Sequence, residues 1–192
     1  MAYATYTTEA LVCGSRDSYT SDRSYLLFTK EAGMLWATAR SVREEKSKQR
    51  CALQDFSFIR VSLVKGRSGW RIGSVEAVSN PFMKASSRSE RAYVSSILSL
   101  LRRYIHGEQQ MHTVFSDVKA ALMNDTFKLN QDVAQSLFTA RLLYVLGYIS
   151  KNELTSPVLE AVDFEEAYEL NDAKNSLELE KVIQQAHSLS HL

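Results

Sequence analysis

Residues 56–77 carry the sequence FSFIRVSLVKGRSGWRIGSVEA, which decides the fold of the first half of the chain. Side chains point alternately to the two faces of the predicted strand: Ile59, Val61 and Leu63 point one way and should fill a core, and the other face carries Phe58, Arg60 and Ser62. The glycine-containing tetrad 66–69 then predicts a hairpin turn, and a second strand follows from Trp70 to Ala77. The stretch therefore predicts an antiparallel hairpin with one buried face.

Three further strands are predicted ahead of this hairpin, over Thr5–Gly14, Ser24–Lys30 and Met34–Arg40. The second and third are joined by Lys30–Gly33, whose glycine can adopt the positive φ of a tight turn. Five strands with a long basic connection between the third and fourth are typical of an OB-fold, a small and partly open β-barrel.

The dipeptide Asn80–Pro81 marks the end of this pattern, because proline interrupts regular structure and the hydrophobic period changes after it. The period beyond it is helical. We therefore predict an α+β protein, with an N-terminal five-stranded OB-fold barrel over residues 1–79 and an α-helical bundle domain over residues 80–192.

The helical part contains three clear segments. Apolar residues recur at i, i+3 and i+4 over 94–105 and again over 114–122, as in amphipathic helices. Residues 133–146 are apolar nearly all round, which is expected for the central helix of a bundle, and Gly147 can cap its end. Acidic residues dominate the helix or helices predicted from Glu160 to Glu180.

The composition excludes several classes of protein. No apolar run approaches the roughly 18 residues that a membrane helix needs. The start MAYATYTTEALVCGSRD lacks the basic and apolar regions of a signal peptide, so we expect a cytoplasmic protein. Cys13 and Cys51 have no cysteine or histidine at ligand spacing, so we expect two reduced thiols, no metal and no cofactor.

The net charge of +1 conceals a gradient along the chain. Residues 1–79 carry a net charge of +4, residues 80–150 one of +3 and residues 151–192 one of −6. A basic body with an acidic end suits a protein that meets a polyanion with its first three-quarters. A solvated acidic tail on a neutral domain would give the same gradient.

The connection between the third and fourth strands is the densest basic stretch. Five cations fall within eleven residues: Arg40, Arg43, Lys46, Lys48 and Arg50. Flexible cations at short intervals can follow a phosphate backbone without reading its sequence, and we predict that these five bind DNA. Glu44 and Glu45 dilute the signal, and the alternative is a solvated loop with internal ion pairs.

Aromatic side chains beside cations give a second indication of nucleic-acid binding, because OB barrels stack bases on exposed rings. Trp70 lies close in sequence to Lys65, Arg67 and Arg71, and we predict that these four residues bind DNA. A buried position is the alternative for each ring. It applies equally to the two other candidates, Trp36 and Phe58.

Two more groups of arginines are candidates. Arg16 and Arg23 flank the first loop with two aspartates, either as a structural ion-pair set or as DNA-binding cations that the aspartates orient. Four arginines on or near the first long helix bind DNA or a partner's acidic tail, or else form a solvated face: Arg88, Arg91, Arg102 and Arg103.

Catalysis has little support in the sequence. It contains no glycine-rich phosphate loop, no nucleophile elbow and no zinc-protease motif. The acidic residues from Glu160 to Glu169 are more typical of a solvated helix face than of a metal cluster, as a nuclease would require.

Several stretches, in their order and spacing, resemble the RecO family of recombination mediators: TEALVCGSRD at 8–17, SDR at 21–23, FTKEAG at 28–33, KSK at 46–48 with ALQDF at 52–56, KGR at 65–67, and FTARLL at 138–143 with LGY at 146–148. The chain departs from the family at Ser41, where the family has a glycine before the basic segment. It also lacks the cysteines that many members place after the Gly-Tyr helix end. We therefore expect a short member without zinc.

The resemblance implies an OB-fold followed by helices, no enzymatic activity, and the binding and annealing of single-stranded DNA. It implies as partners a RecR-like protein, the tail of the single-stranded DNA-binding protein and, indirectly, RecA. Arg141, in the stretch that resembles the family's central helix, joins the four helix arginines as a candidate partner contact. The main alternative is a protein–protein adapter of the repair machinery with weak or no DNA binding of its own, which the two intruding glutamates favour. A nuclease or other enzyme is the third hypothesis.

Overall fold

The computed structural model describes residues 5–18, 20–67, 69–125 and 130–190. Its first part is a closed barrel with the strand order β1-β2-β3-β5-β4, in which β4 pairs back to β1. The predicted OB-fold is confirmed, and Ser68 of the predicted hairpin turn lies outside the described residues. The strands are β1 Thr5–Asp17, β2 Arg23–Thr29, β3 Gly33–Ala39, β4 Phe58–Gly66 and β5 Gly69–Ser79.

Alternate residues of each strand build the core of the barrel. The three residues predicted to fill it, Ile59, Val61 and Leu63, are all buried there. Arg60 points the other way and is exposed. Of the two alternatives for the Phe58 ring, the structure shows the buried one, because Phe58 is only 3% exposed and cannot stack on a base.

The turn between β2 and β3 depends on Gly33. This residue has a φ of +67°, which glycine adopts without the steric cost that a Cβ brings. A Cβ at this position would also lie 2.2 Å from the backbone oxygen of Gln109. The segment after the first long helix therefore packs directly on the turn, and the Met34 amide donates a hydrogen bond to the Gly107 carbonyl at 3.0 Å.

Three helices accompany the barrel: α1 Gln49–Ala52, α2 Pro81–Lys84 and α3 Arg88–Tyr104. Asn80 starts α2 by accepting a hydrogen bond from the Met83 amide, and Pro81 occupies the first helical position, where no amide is needed. Ser87 caps α3 in the same way by accepting from the Glu90 amide. The apolar stripe predicted for this helix is buried: Val94, Ile97, Leu98, Leu101 and Tyr104.

Five helices follow: α4 His112–Met123, α5 Gln131–Val145, α6 Ser156–Leu159, α7 Phe164–Leu170 and α8 Ala173–Ser190. As its composition predicts, α5 is buried along most of its length. Gly147 ends it with a φ of +78° and donates to the Tyr144 carbonyl, while the Tyr148 amide donates to the Leu143 carbonyl. These two bonds form a Schellman motif, as the glycine indicated.

The chain forms two compact units, residues 1–112 and 113–192. The first unit contains the barrel together with α2 and α3. The division into domains at residues 79 and 80 stays a prediction. Among the helices that the structure describes, none combines the length and the apolar character needed to cross a bilayer.

Candidate nucleic-acid interface

The basic connection between β3 and β4 covers one end of the barrel with its cations turned outward. Val42 is 1% exposed and belongs to the barrel core, and so does Leu53, directly after α1. These two anchors fix the path of the connection. The five cations predicted to grip phosphate are all exposed: Arg40, Arg43, Lys46, Lys48 and Arg50.

The turn between β1 and β2 packs against the start of this connection. The Ser41 amide donates to Asp22 Oδ1 at 2.9 Å, and the Arg43 amide donates to the Ser21 carbonyl at 3.1 Å. Ser41 has a φ of +49°, in the left-handed region that glycine adopts most easily. The resembled family's glycine at this place therefore has a physical reason, and the Asp22 hydrogen bond helps serine to occupy it.

Asp17, at the end of β1, orients two of the predicted DNA-binding arginines. Its Oδ1 accepts a hydrogen bond from Arg23 Nε at 3.0 Å and lies 2.9 Å from Arg23 Nη2, and its Oδ2 lies 3.5 Å from Arg43 Nη1. The hydrogen bond to Asp17 raises the pKa of Arg23. Because all three side chains are substantially exposed, the pairs add little stability, but they restrict where the two guanidiniums lie.

Trp36 on β3 is the exposed ring of the outer barrel wall. It is 39% exposed, and its neighbours Leu35 and Ala37 point into the barrel core. The guanidinium of Arg16 lies over the ring, 4.1 Å from its centroid. The outer face of β1, β2 and β3 thus presents an aromatic surface with a cation beside it, on the strands that OB-folds use for oligonucleotides.

Trp70 has a different environment from the one that base stacking requires. Its ring is half-buried, packs against the barrel core and meets the Tyr6 ring edge-on at 5.7 Å between centroids. Its Nε1 donates to Glu108 Oε1 at 2.9 Å, and Lys65 Nζ donates to Glu108 Oε2 at 2.9 Å. These two hydrogen bonds lower the pKa of Glu108. The sequence carries no signal for this arrangement, because Glu108 is 38 residues from Trp70.

Arg71 continues the outer wall on β5. It is paired across the β3–β5 joint with Thr38, the residue two places after Trp36 on the same face of β3. Arg71 and Arg40 line one cavity of about 320 Å³, which Gln49 closes by donating from Nε2 to the Gly73 carbonyl at 2.7 Å. Arg67 is exposed in the hairpin turn after β4.

The arginines of α3 lie at different places on the first unit. Arg88 is exposed at the start of the helix, and Arg91 is exposed but donates from Nη2 to the Ala85 carbonyl at 3.1 Å. The Arg102 side chain lies over Gly14 of β1, where a Cβ would be 3.9 Å from its guanidinium carbon. Arg103 is exposed at the end of the helix. Partner binding by these four stays a prediction.

The expectation that Arg141 contacts a partner is wrong for this structure. Arg141 is 2% exposed within the second unit. It forms a two-bond ion pair with Asp117, from Nε to Oδ2 at 2.8 Å and from Nη2 to Oδ1 at 3.2 Å. Its Nη1 donates to the carbonyls of Val158 at 3.0 Å and Ala161 at 3.1 Å. Burial raises the pKa of Asp117, and the guanidinium opposes that rise.

The two cysteines lie in different environments. Cys13 is buried, which raises the pKa of its thiol to about 12, and Cys51 is exposed. In the part of the chain that the structure describes, no three histidine, cysteine or acidic side chains come together in a way that could hold a metal.

These features define a class of protein: an OB-type barrel whose outer wall and one end carry arginines, lysines and an exposed tryptophan, followed by a chain of helices. Residues 1–81 match the family described as recombination protein O, N terminal. The first unit is therefore similar to the N-terminal part of that family.

Three curated proteins with a related name are also similar to parts of this chain. The DNA repair protein RecO of Clostridium novyi (strain NT) is 26% identical over 144 residues, which cover 74% of this chain and 56% of the relative. The DNA repair proteins RecO of Desulfitobacterium hafniense strains DSM 10664 / DCB-2 and Y51 are each 43% identical over 63 residues, or 33% of this chain and 23% of each relative. The chain thus spans little more than half the length of the Clostridium relative.

Proposed function

We propose that this chain is a non-catalytic DNA-binding recombination mediator that binds single-stranded DNA in recombinational repair. The observation that carries the proposal is the set of solvent-accessible cations on the barrel, together with the exposed ring of Trp36. These cations come from three places: exposed Arg16 and half-buried Arg23 near the β1–β2 turn, the five exposed cations of the β3–β4 connection, and half-buried Arg71 on β5.

The chemistry of this surface suits a single strand without sequence preference. Lysine and arginine side chains hold phosphates at short intervals, and each displaces condensed counterions. Trp36 offers its face to a base, and stacking of this kind is indifferent to base identity because every base has a π-face. Strands held by their backbones keep their pairing edges open, which favours annealing to a complementary strand.

The names of the relatives place them in DNA repair, and the family resemblance extends the proposal to partners. We propose strand annealing and support of RecA loading, together with a RecR-like protein and the tail of the single-stranded DNA-binding protein as partners. Arg88, Arg91, Arg102 and Arg103 on α3 are the candidate contacts for them, since they lie in the same compact unit as the barrel.

A protein–protein adapter of the repair machinery, with weak or no DNA binding, is the second candidate. The observation that favours it is the number of carboxylates among the cations. Asp17 already pairs with two arginines, and Glu44 and Glu45 are exposed within the basic connection. Such a mixed surface suits an acidic or mixed-charge protein partner, because a protein tolerates nearby carboxylates better than a polyanion does.

A charge-removal experiment separates the two candidates. The triple variant Lys46→Ala, Lys48→Ala, Arg50→Ala removes three exposed cations from the connection, and a second triple variant, Lys151→Ala, Lys174→Ala, Lys181→Ala, removes the same charge from the second unit. Affinity for a labelled oligothymidylate is measured by fluorescence anisotropy from 50 to 300 mM salt, with duplex as control. We expect the first variant to bind at least about tenfold more weakly and its salt dependence to flatten by about two in log–log slope.

The second variant should bind as the unchanged protein does. If the first variant also binds unchanged, the connection does not hold phosphate; if the unchanged protein shows no binding at low salt, the adapter is favoured. Turnover of the oligonucleotide with magnesium or manganese, absent without them, would instead identify a nuclease.

A further inference from the structure

A small cavity of about 180 Å³ opens at the end of the barrel, between the β1–β2 turn and the β3–β4 connection. Three arginines, one tyrosine and one valine line it: Arg23, Tyr25, Val42, Arg43 and Arg50. The lining comes from β2 and from two parts of the β3–β4 connection, its start at Val42 and Arg43 and the short helix α1 within it. The cavity is therefore a recess with walls on several sides rather than a stretch of flat surface.

The side chains of this recess are held in place by the barrel. Arg23 and Tyr25 are two residues apart on β2 and share one face of the strand. The Tyr25 ring belongs to the barrel core, so its hydroxyl marks the point where the core ends. Val42, buried in the same core, fixes the residue next to it, Arg43.

Arg50 is fixed from the other side of the recess. It belongs to α1, which is anchored by the buried side chains of Ala52 and Leu53. A site assembled before its ligand arrives loses less conformational entropy on binding.

Three arginines and no acidic residue line the recess, and Asp17 and Asp55 act electrostatically on Arg23 from outside it. Asp17 is the one carboxylate that pairs with Arg23 and Arg43 within the described residues, and it does not line the recess. In the same part of the chain, no acidic side chain or carbonyl pairs with the guanidinium of Arg50. Each guanidinium has five N–H donors, so the pairs with Asp17 leave most donors of Arg23 and Arg43 for a ligand.

Burial raises the pKa of Tyr25, so its hydroxyl stays protonated and can donate as well. Its pairing with Arg23 leaves the hydroxyl beside the guanidiniums of the recess.

The chemistry that fits is a phosphate with three terminal oxygens. A phosphomonoester carries a charge of about −1.5 to −2 at neutral pH, and a phosphodiester within a strand carries about −1. A phosphodiester must also continue in two directions, which a walled recess obstructs, whereas the end of a strand needs only one exit. Guanidinium groups match the geometry of terminal phosphate oxygens and bind them in pairs of hydrogen bonds.

We infer that this recess binds the terminal phosphomonoester of a DNA strand, so that the protein distinguishes phosphorylated strand ends from hydroxyl ends. The inference rests on the proposed function and deepens it, since the same barrel end that grips the strand would also read its terminus. Free phosphate offers the same chemistry, and the test below separates the two sources.

The test compares oligonucleotides of one sequence that carry 5′-phosphate, 3′-phosphate or hydroxyl ends, each labelled at the opposite or an internal position. Binding is measured by anisotropy to the full chain, to Arg50→Gln and to Tyr25→Phe, with Arg60→Gln, at an exposed position of β4 that is given no role in binding, as matched control. We expect one phosphorylated end to bind about tenfold more tightly than hydroxyl ends. Arg50→Gln and Tyr25→Phe should reduce that advantage to twofold or less, while Arg60→Gln should preserve it.

Each outcome decides a separate point. Equal affinity for all three ends overturns the inference and leaves the proposed function standing, and an advantage that survives both recess variants overturns its location. If no oligonucleotide binds, the proposed function fails. Thermal unfolding in inorganic phosphate and in chloride at equal ionic strength then tests whether the recess binds phosphate at all. Stabilisation of the unchanged protein but not of Arg50→Gln assigns it to free phosphate, and no stabilisation overturns the site.

Discussion

Arg141 and Asp117 show how one buried pair ties several parts of the second unit together. The guanidinium bonds the carboxylate on α4 and reaches the carbonyls at the end of α6 and beyond it, from its own position on α5. An isolated charge at this depth would be strongly unfavourable, and only the full set of bonds compensates for its lost hydration. The pair therefore specifies the packing of these helices.

Replacing Arg141 with methionine should destabilise the protein by about 3–5 kcal/mol, because Asp117 is left buried without its partner. Lysine at this position should also fail, since a single ammonium cannot reproduce the planar fork of donors. Denaturant unfolding of the full chain measures both losses. Arg88→Ala, at an exposed position, is the control and should change stability by no more than about 0.5 kcal/mol. A small loss for Arg141→Met would show that the helices repack around the gap.

Gly33→Ala should destabilise the first unit by at least about 2 kcal/mol, because it combines a positive φ with a clash against the Gln109 backbone. Gly107 supplies the matched control. It has a φ of +80° but nothing within 4 Å of the position of a Cβ, so Gly107→Ala reports the cost of φ alone, about 1 kcal/mol. Thermal unfolding of both variants compares the two. Equal losses would mean that the segment at Gln109 moves aside freely.

The sequence predicts these residues unevenly. A glycine at the end of a tetrad between two strands predicts a positive φ, and Gly33 has it. Its contact with Gln109 joins positions 76 residues apart, so no local sequence pattern indicates it. Arg141 stands in a helix that is apolar nearly all round, and that pattern alone could have indicated a buried, paired arginine rather than a partner contact.

At the scale of elements, the strands and the first long helix follow closely from hydrophobic period. The alternation in β4 and the i, i+3, i+4 stripe of α3 each set which face is buried, and a shift by one residue would expose the core. The hydrophobic period does not determine which part of the outer barrel surface stays exposed to solvent. Phe58 and Trp36 both point away from the barrel core, yet Phe58 is covered and Trp36 is not, because covering depends on elements distant in sequence.

Substitutions of the two tryptophans should affect different properties, DNA binding for Trp36 and stability for Trp70. Trp36→Ala should weaken single-stranded DNA binding by about tenfold, the loss of one stacked base, and leave the melting temperature nearly unchanged. Trp70→Ala should lower the melting temperature, because its ring packs on the barrel core and bonds Glu108. Trp36→Phe keeps an aromatic face and should retain most of the affinity. The reverse result, with Trp70 governing affinity and Trp36 stability, would contradict this assignment.

At the scale of the whole molecule, the compact division falls after His112 although the strand pattern ends near residue 79. The reason lies in the segment 105–109. It bonds Met34 through the Gly107 carbonyl and holds Lys65 and Trp70 through Glu108. A boundary read from proline and period cannot include such a return to the barrel.

A fragment of residues 1–112 should therefore be more stable than one of residues 1–80. The shorter fragment lacks α2 and α3 with their buried side chains. It also loses the three hydrogen bonds made by Gly107 and Glu108, about 2 kcal/mol in partly exposed positions, and the cover that the segment gives to the β2–β3 turn. Thermal unfolding followed by circular dichroism compares the two fragments. The same melting temperature for both would show that the barrel is complete by residue 80.

The barrel closes unevenly. Its β3–β5 joint contains two residue pairs, whereas each of the other four joints contains at least seven. Separation of those two pairs would open the barrel into a curved five-stranded sheet while the other four joints remain paired. Trp36 lies on β3 and Arg71 on β5, the two strands that meet at this joint, so a nucleic-acid strand bound by both would hold the joint closed. Nucleic acid would then slow amide exchange at Thr38 more than at any residue of the longer joints.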